Sequence, residues 1–166
     1  PYGYLPTDLR ILGAELEKRK LRISGTFAMA HIEDPADWPS LEKQVLGAGE
    51  LVAGLGGNYL VLIDDTYTDV FTGKPRAPEK IDESGWERFV ETTHKVADMV
   101  RERFDLTLVF HPHADTHVEF EDQIERLLED TDPEKVVLGQ DIGHLAYRGV
   151  DPVELIRKHH QRIPYL

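Results

Sequence analysis

Lys135-Val136-Val137-Leu138-Gly139-Gln140-Asp141-Ile142-Gly143-His144 is the stretch whose reading decides the fold. Its apolar start, bounded by turn and polar residues, reads as a strand over 135–140 buried on both faces. The run then stops at a carboxylate, a glycine and a histidine. That is where α/β folds place their chemistry, at the C-terminal ends of parallel strands. A second run, Leu106-Thr107-Leu108-Val109-Phe110, also leads into imidazoles, at His111-Pro112-His113.

Working outward, the same alternation recurs. Thr7 is a suitable N-cap and Asp8 suits the first turn, so Leu9, Leu12 and Leu16 predict a helix over about 7–19, after a Gly/Pro/Tyr-rich loop from Pro1 to Pro6. Leu21 to Ala30 follows as a strand in which Gly25 marks a bend or a close approach. After the loop at 34–39, Leu41, Val45, Ala48, Leu51, Val52 and Leu55 form one helical face that stops at Gly56-Gly57. Tyr59-Leu60-Val61-Leu62-Ile63 is the next buried strand, and it ends at Asp64-Asp65.

Residues 66–83 are polar and rich in turn formers, which predicts a long loop on the same side as the strand ends, of the kind that serves as a lid or binding loop. Ser84-Gly85-Trp86-Glu87 reads as a capping box, opening a helix to about Arg103 with Trp86, Phe89, Val90, Thr93, Val96, Ala97, Val100 and Phe104 inward. A helix over about 119–130 buries Ile124, Leu127 and Leu128, and Asp151-Pro152-Val153-Glu154 opens a last one. Short strands alternating with longer helices give a βα series, hence a parallel sheet in one domain over 1–166.

Composition narrows the function. The chain has 166 residues, 40% hydrophobic and 30% charged, the balance of a globular protein with an ordinary core. A formal charge of −12 disfavours phosphate backbones and anionic lipid, so neither nucleic acid nor a membrane is an expected partner. No apolar run approaches the roughly 20 residues of a membrane span. The absence of cysteine removes disulfides, thiolate nucleophiles and Cys-type zinc sites, which suits a cytoplasmic location. The first residue, Pro1, and the closing Ile163-Pro164-Tyr165-Leu166, which reads as the start of another strand, give the appearance of a partial chain.

In a parallel series Asp64, Asp65, His111, His113, Asp141 and His144 can converge from distant parts of the sequence. Carboxylates with imidazoles form a ligand set for Mn²⁺, Co²⁺, Fe²⁺ or Zn²⁺, with Mg²⁺ at the hard end. The same residue types also cap strands and helices; Asp141 with Gly143 and His144 is the more specific pattern, and the plain alternative for it is the cap of a βα turn. His111 and His113, two apart, face the same side of an extended backbone. His117 reads as solvated, His159 and His160 as serving a helix C-terminus or solvent, and His31 and His94 as ordinary residues. Glu119 is by default a first-turn acid.

The segments Phe110-His111-Pro112-His113-Ala114-Asp115-Thr116-His117-Val118-Glu119, Thr131-Asp132-Pro133, Asp141-Ile142-Gly143-His144 and Gly149-Val150-Asp151-Pro152 together resemble the xylose-isomerase-like TIM barrels, which include sugar phosphate isomerases/epimerases and inosose dehydratases. The resemblance covers most of the chain and implies an α/β (β/α)8 TIM barrel, incomplete as given, from about strand 3 to the start of strand 7. It implies a divalent metal held by Asp141, with His144 beside the substrate. His113 stands where many relatives have an acidic ligand, as ligand or base, and Glu119 matches a position that contacts substrate in some. Relatives continue beyond Tyr165-Leu166 with a further His ligand and a later Glu ligand. A closed barrel cannot form from these residues alone, so either more chain or other copies, a homo-oligomer, would supply the missing surface.

The expected activity is a metal-dependent isomerase or epimerase of a sugar or sugar derivative, with Asp141 and His113 at the metal, His113 and His144 catalytic, and His111, Glu119 and His144 at the substrate. A lyase of the inosose-dehydratase kind, acting on a cyclitol, is the alternative. A silent binding or assembly module is the third, prompted by the small Gly139 and polar Gln140 within a strand.

Overall fold

The computed structural model describes residues 4–166; the first half of the expected N-terminal loop, residues 1–3, lies outside them. Four strands, β1 (Gly25–Ala30), β2 (Tyr59–Asp64), β3 (Thr107–Phe110) and β4 (Val136–Leu138), form one sheet in sequence order. Every neighbouring pair is parallel. After β4 the chain returns to lay Tyr165 parallel beside Gly139. The fold is therefore α/β and the barrel partial, with four strands and the beginning of a fifth.

Strand parity sets the two faces. Ala28, Ala30, Leu60, Leu62, Leu108, Phe110, Val136 and Leu138 point into the core under the helices. That layer contains α2 (Trp38–Gly54), α3 (Glu83–Phe104) and α4 (Glu121–Asp130), which connect successive strands. From α3, Trp86, Phe89, Thr93, Val96, Ala97 and Val100 are buried as their spacing predicts. Residues of the other parity, including Phe27, Met29 and Val61, line an open groove on the opposite face.

Several boundaries depart from the sequence expectation, each for a local reason. Helix α1 (Leu9–Arg19) is capped by Asp8, not Thr7, because the Asp8 carboxylate reaches the Ile11 N–H at 2.9 Å. Likewise Asp82, not Ser84, caps α3 by accepting from Gly85 N–H at 2.8 Å. Strand β1 starts at Gly25 rather than Leu21, and β4 is limited to 136–138. At Gly25 a Cβ would come to 2.6 Å from the Tyr59 carbonyl, so the glycine is a close approach of neighbouring backbone. Residues 142–147, for which the spacing predicts no helix, form α5 (Ile142–Tyr147), followed by α6 (Pro152–His159). None of the helices among the described residues is long and apolar enough to cross a membrane.

Candidate active site

Because β3 continues in extended parity past Phe110, His111 and His113 emerge on the groove side. The short helix α5 brings His144 to them from the end of β4. One ring nitrogen from each lies within 4.8 Å of the other two. The His113 and His144 ring centroids are 3.8 Å apart, and His111 sits 5.7 Å from His113 and 5.6 Å from His144. The groove they close, about 500 Å³, is otherwise lined by Gly25, Thr26, Phe27, Met29, Val61, Ile63 and Tyr165.

The proton positions follow from the partners. His111 Nδ1 is 3.2 Å from the Gly139 carbonyl and His113 Nδ1 is 2.7 Å from the Ala114 carbonyl. A carbonyl only accepts, so both Nδ1 atoms carry the hydrogen, and in the neutral rings both Nε2 lone pairs are free. Burial, reinforced by the neighbouring His113 ring, pushes His111 down to about 4. Burial and His113 likewise lower His144, against the opposing pull of Asp141.

Asp141 does two things at once. Its Oδ1 accepts from Gly143 N–H at 2.7 Å and His144 N–H at 3.0 Å, which caps α5. Burial works to raise its pKa, but those two N–H groups outweigh it and hold the carboxyl below its usual range. Its Oδ2 faces His144 Nε2 at 3.9 Å. The capping and the chemical readings of Asp141 are thus compatible, one on each oxygen.

Glu119 does not join this cluster. Its side chain is 1% exposed; Oε1 accepts from the Tyr67 hydroxyl at 2.6 Å, and Oε2 takes the Asp115 N–H at 2.7 Å and pairs with Arg148. Arg148 also pairs with Asp115. Burial first, and the bond to Glu119 second, raise the Tyr67 hydroxyl. The network ties the long loop after β2 to the loop after β3.

Other polar residues stand elsewhere than the sequence indicates. His117, read as solvated, is buried: Nδ1–H donates to Asp64 Oδ2 at 2.8 Å and Nε2–H to the Pro78 carbonyl at 3.0 Å. Burial opposes its charge, but the Asp64 bond, the Pro78 carbonyl and Glu33 overcome that and push it up to about 9. His94 Nε2 accepts from Asp132 N–H at 3.0 Å, and His159 pairs with Glu125 at 2.8 Å. His31 joins Glu33 and Asp64 in a second tight group. The one sequence signal for these was Asp64 itself, a carboxylate of core-facing parity that needs a buried partner.

Comparison with known proteins agrees with the fold. The family model described as xylose isomerase-like TIM barrel matches residues 2–166. An inosose dehydratase from Halalkalibacterium halodurans (strain C-125) is 30% identical over 171 residues, covering 99% of this chain and 54% of the relative. The chain therefore spans about half the length of the curated relatives it matches. Among solved structures, a D-allulose 3-epimerase from Methylomonas sp. in complex with D-allulose superposes with a TM-score of 0.75 at 14% identity, covering 95% of this chain and 55% of that one. The IolI protein with a bound zinc atom gives 0.72 at 16% identity, covering 94% and 54%. At those identities the structures establish the fold alone.

Proposed function

The chain belongs to the xylose isomerase-like TIM barrel family, and on that premise we propose that it carries part of the active centre of an enzyme that removes the proton beside the carbonyl of a sugar or cyclitol ketone. The observation that carries this is the convergence of His111, His113 and His144 on the groove, with Asp141 Oδ2 3.9 Å from His144 Nε2.

The donor set fits a divalent metal. Nε2 of His111 and His113 is bare and aimed away from the backbone carbonyls that fix Nδ1. A carboxylate beside neutral imidazoles is a ligand set for Zn²⁺, Mn²⁺, Co²⁺ or Fe²⁺, with Mg²⁺ less suited to the nitrogens. Asp141 and His113 are the residues that would hold it, with His111 within reach. A divalent metal there would supply positive charge to a carbonyl oxygen and to the enediolate that follows proton loss. His144 Nε2, bonded to no donor and facing Asp141, is placed to accept or return a proton. Phe27, Met29, Val61 and Ile63 give the open groove an apolar wall.

Two reactions share that proton transfer. Dehydration, with loss of a β-hydroxyl, is favoured by the inosose dehydratase that matches nearly the whole chain. Epimerisation or isomerisation, in which the proton returns to carbon, is the reaction of the D-allulose 3-epimerase that shares the fold. Incubating the intact protein in D₂O with an inosose, and separately with a ketohexose, tests both. An epimerase or isomerase returns a deuteron to carbon, so its product keeps every heavy atom and gains deuterium. A lyase removes that hydrogen together with the β-hydroxyl, so its product is a conjugated carbonyl lighter by one water. No deuterium exchange and no product from either compound would refute the proposal.

A further inference from the structure

A second set of ligating side chains lies at the ends of β1 and β2. His31 and Glu33 follow β1, Asp64 closes β2, and one ligand atom from each lies within 4.8 Å of the other two. His31 Nδ1 and Glu33 Oε2 are both buried and without a hydrogen-bond partner. Leaving a buried polar atom bare costs ~1–3 kcal/mol, which is why native interiors rarely do so.

The neighbours define what is missing. His31 Nε2 lies 3.8 Å from Asp65 Oδ2, which favours the proton on that nitrogen and leaves a lone pair on Nδ1. Glu33 Oε2 is likewise an acceptor when the carboxyl is ionised. Asp64 accepts from Ile32 N–H at 3.3 Å, His117 N–H at 3.0 Å and His117 Nδ1–H at 2.8 Å. That occupies three of the roughly four lone-pair positions of a carboxylate and leaves one. Ligand atoms from three residues thus lie close together, two of those residues each leaving a buried polar atom bare. The nearest positive group, His117, approaches Glu33 Oε2 only to 3.9 Å, and its two ring N–H groups are committed to Asp64 and Pro78.

We propose that His31, Glu33 and Asp64 form a second divalent-cation site, distinct from the histidine cluster of the groove. One imidazole with two carboxylates suits Zn²⁺ or Mn²⁺. The cation would join the ends of β1 and β2 and, through the Asp64–His117 pair, steady the loop that carries His113.

Titrating chelator-treated intact protein with Co²⁺ tests this, with visible absorption and equilibrium dialysis as readouts. Two equivalents per chain are expected. Glu33→Gln and His31→Gln should each bind one, and His113→Ala should lose the other one while keeping the first. Circular dichroism checks that each variant is folded, and His31→Gln reads the same site if Glu33→Gln does not fold. Two outcomes overturn the second site: a wild-type stoichiometry of one that both Gln variants retain, as a bridging water between His31 and Glu33 would give, or no binding at all. A stoichiometry of one that survives His113→Ala and is lost in His31→Gln overturns the groove site instead and leaves this one standing.

Discussion

Asp64 and His117, separated by 53 positions in the sequence, meet at 2.8 Å with side chains 0% and 2% exposed. The contact joins the end of β2 to the loop after β3, and the Pro78 carbonyl on the far side of the ring adds the long loop between them. Three strand-end segments thus share one imidazolium.

This pair predicts a fall in stability on the alkaline side. His117 has a folded-state pKa of about 9 against an ordinary value of 6.5. The native state therefore holds its proton more tightly than the unfolded chain, a contribution fully present below about pH 6.5 and lost as pH rises through about 9. Thermal melts at constant ionic strength should show the midpoint dropping over that interval. Asp64→Asn should flatten the dependence and cost roughly 3–5 kcal/mol, since it leaves a buried cation without its partner. A slope unchanged in Asp64→Asn would contradict the assignment.

On the acid side His111 acts with the opposite sign. Its folded pKa of about 4 lies below 6.5, so the unfolded chain binds the proton first, and stability is lost as pH falls from about 6.5 toward 4. Replacing His111 by Asn should weaken that arm and leave the alkaline arm in place, measured by the same melts.

The two oxygens of Asp141 can be separated by mutation. Asp141→Ala removes the cap of α5 and should cost about 0.5–2 kcal/mol, whereas Asp141→Asn keeps a capping oxygen. Both should lower metal content relative to the intact wild-type protein. Unchanged metal in Asp141→Ala, determined by elemental analysis, would remove Asp141 from the metal site.

Glu119 and Tyr67 bond each other across two loops. Tyr67→Phe deletes the 2.6 Å bond to a buried carboxylate and should destabilise by about 1.5–3 kcal/mol. Metal stoichiometry should not change. A variant as stable as wild type that has lost metal would place this network in the site after all.

Gly139 tests the packing on the groove side. A Cβ there would come to 2.5 Å from Val109 Cγ1, so Gly139→Ala should cost about 1–3 kcal/mol by overpacking. Its small size, odd for a strand interior, lets Tyr165 pair alongside and Val109 stay fully buried. An unaltered denaturation midpoint would show that the strand simply shifts to make room.

The order of the strands and of the helices other than α5, the inward face of α3, and the shared side of His111 and His113 were all legible from residue spacing. Parity and helical period are local properties of the backbone, readable over a few residues. The burial of His117, the pairing of His31 with Glu33 and Asp64, and the withdrawal of Glu119 into the Tyr67–Arg148 network were not legible. Those depend on which loops meet once parallel strands fall into register, across dozens of intervening residues. For Asp141 the sequence offered a cap and, by resemblance, a ligand; the tertiary structure places the cap on Oδ1 and leaves Oδ2 3.9 Å from His144 Nε2, a relation that depends on how α5 folds back over the end of β4.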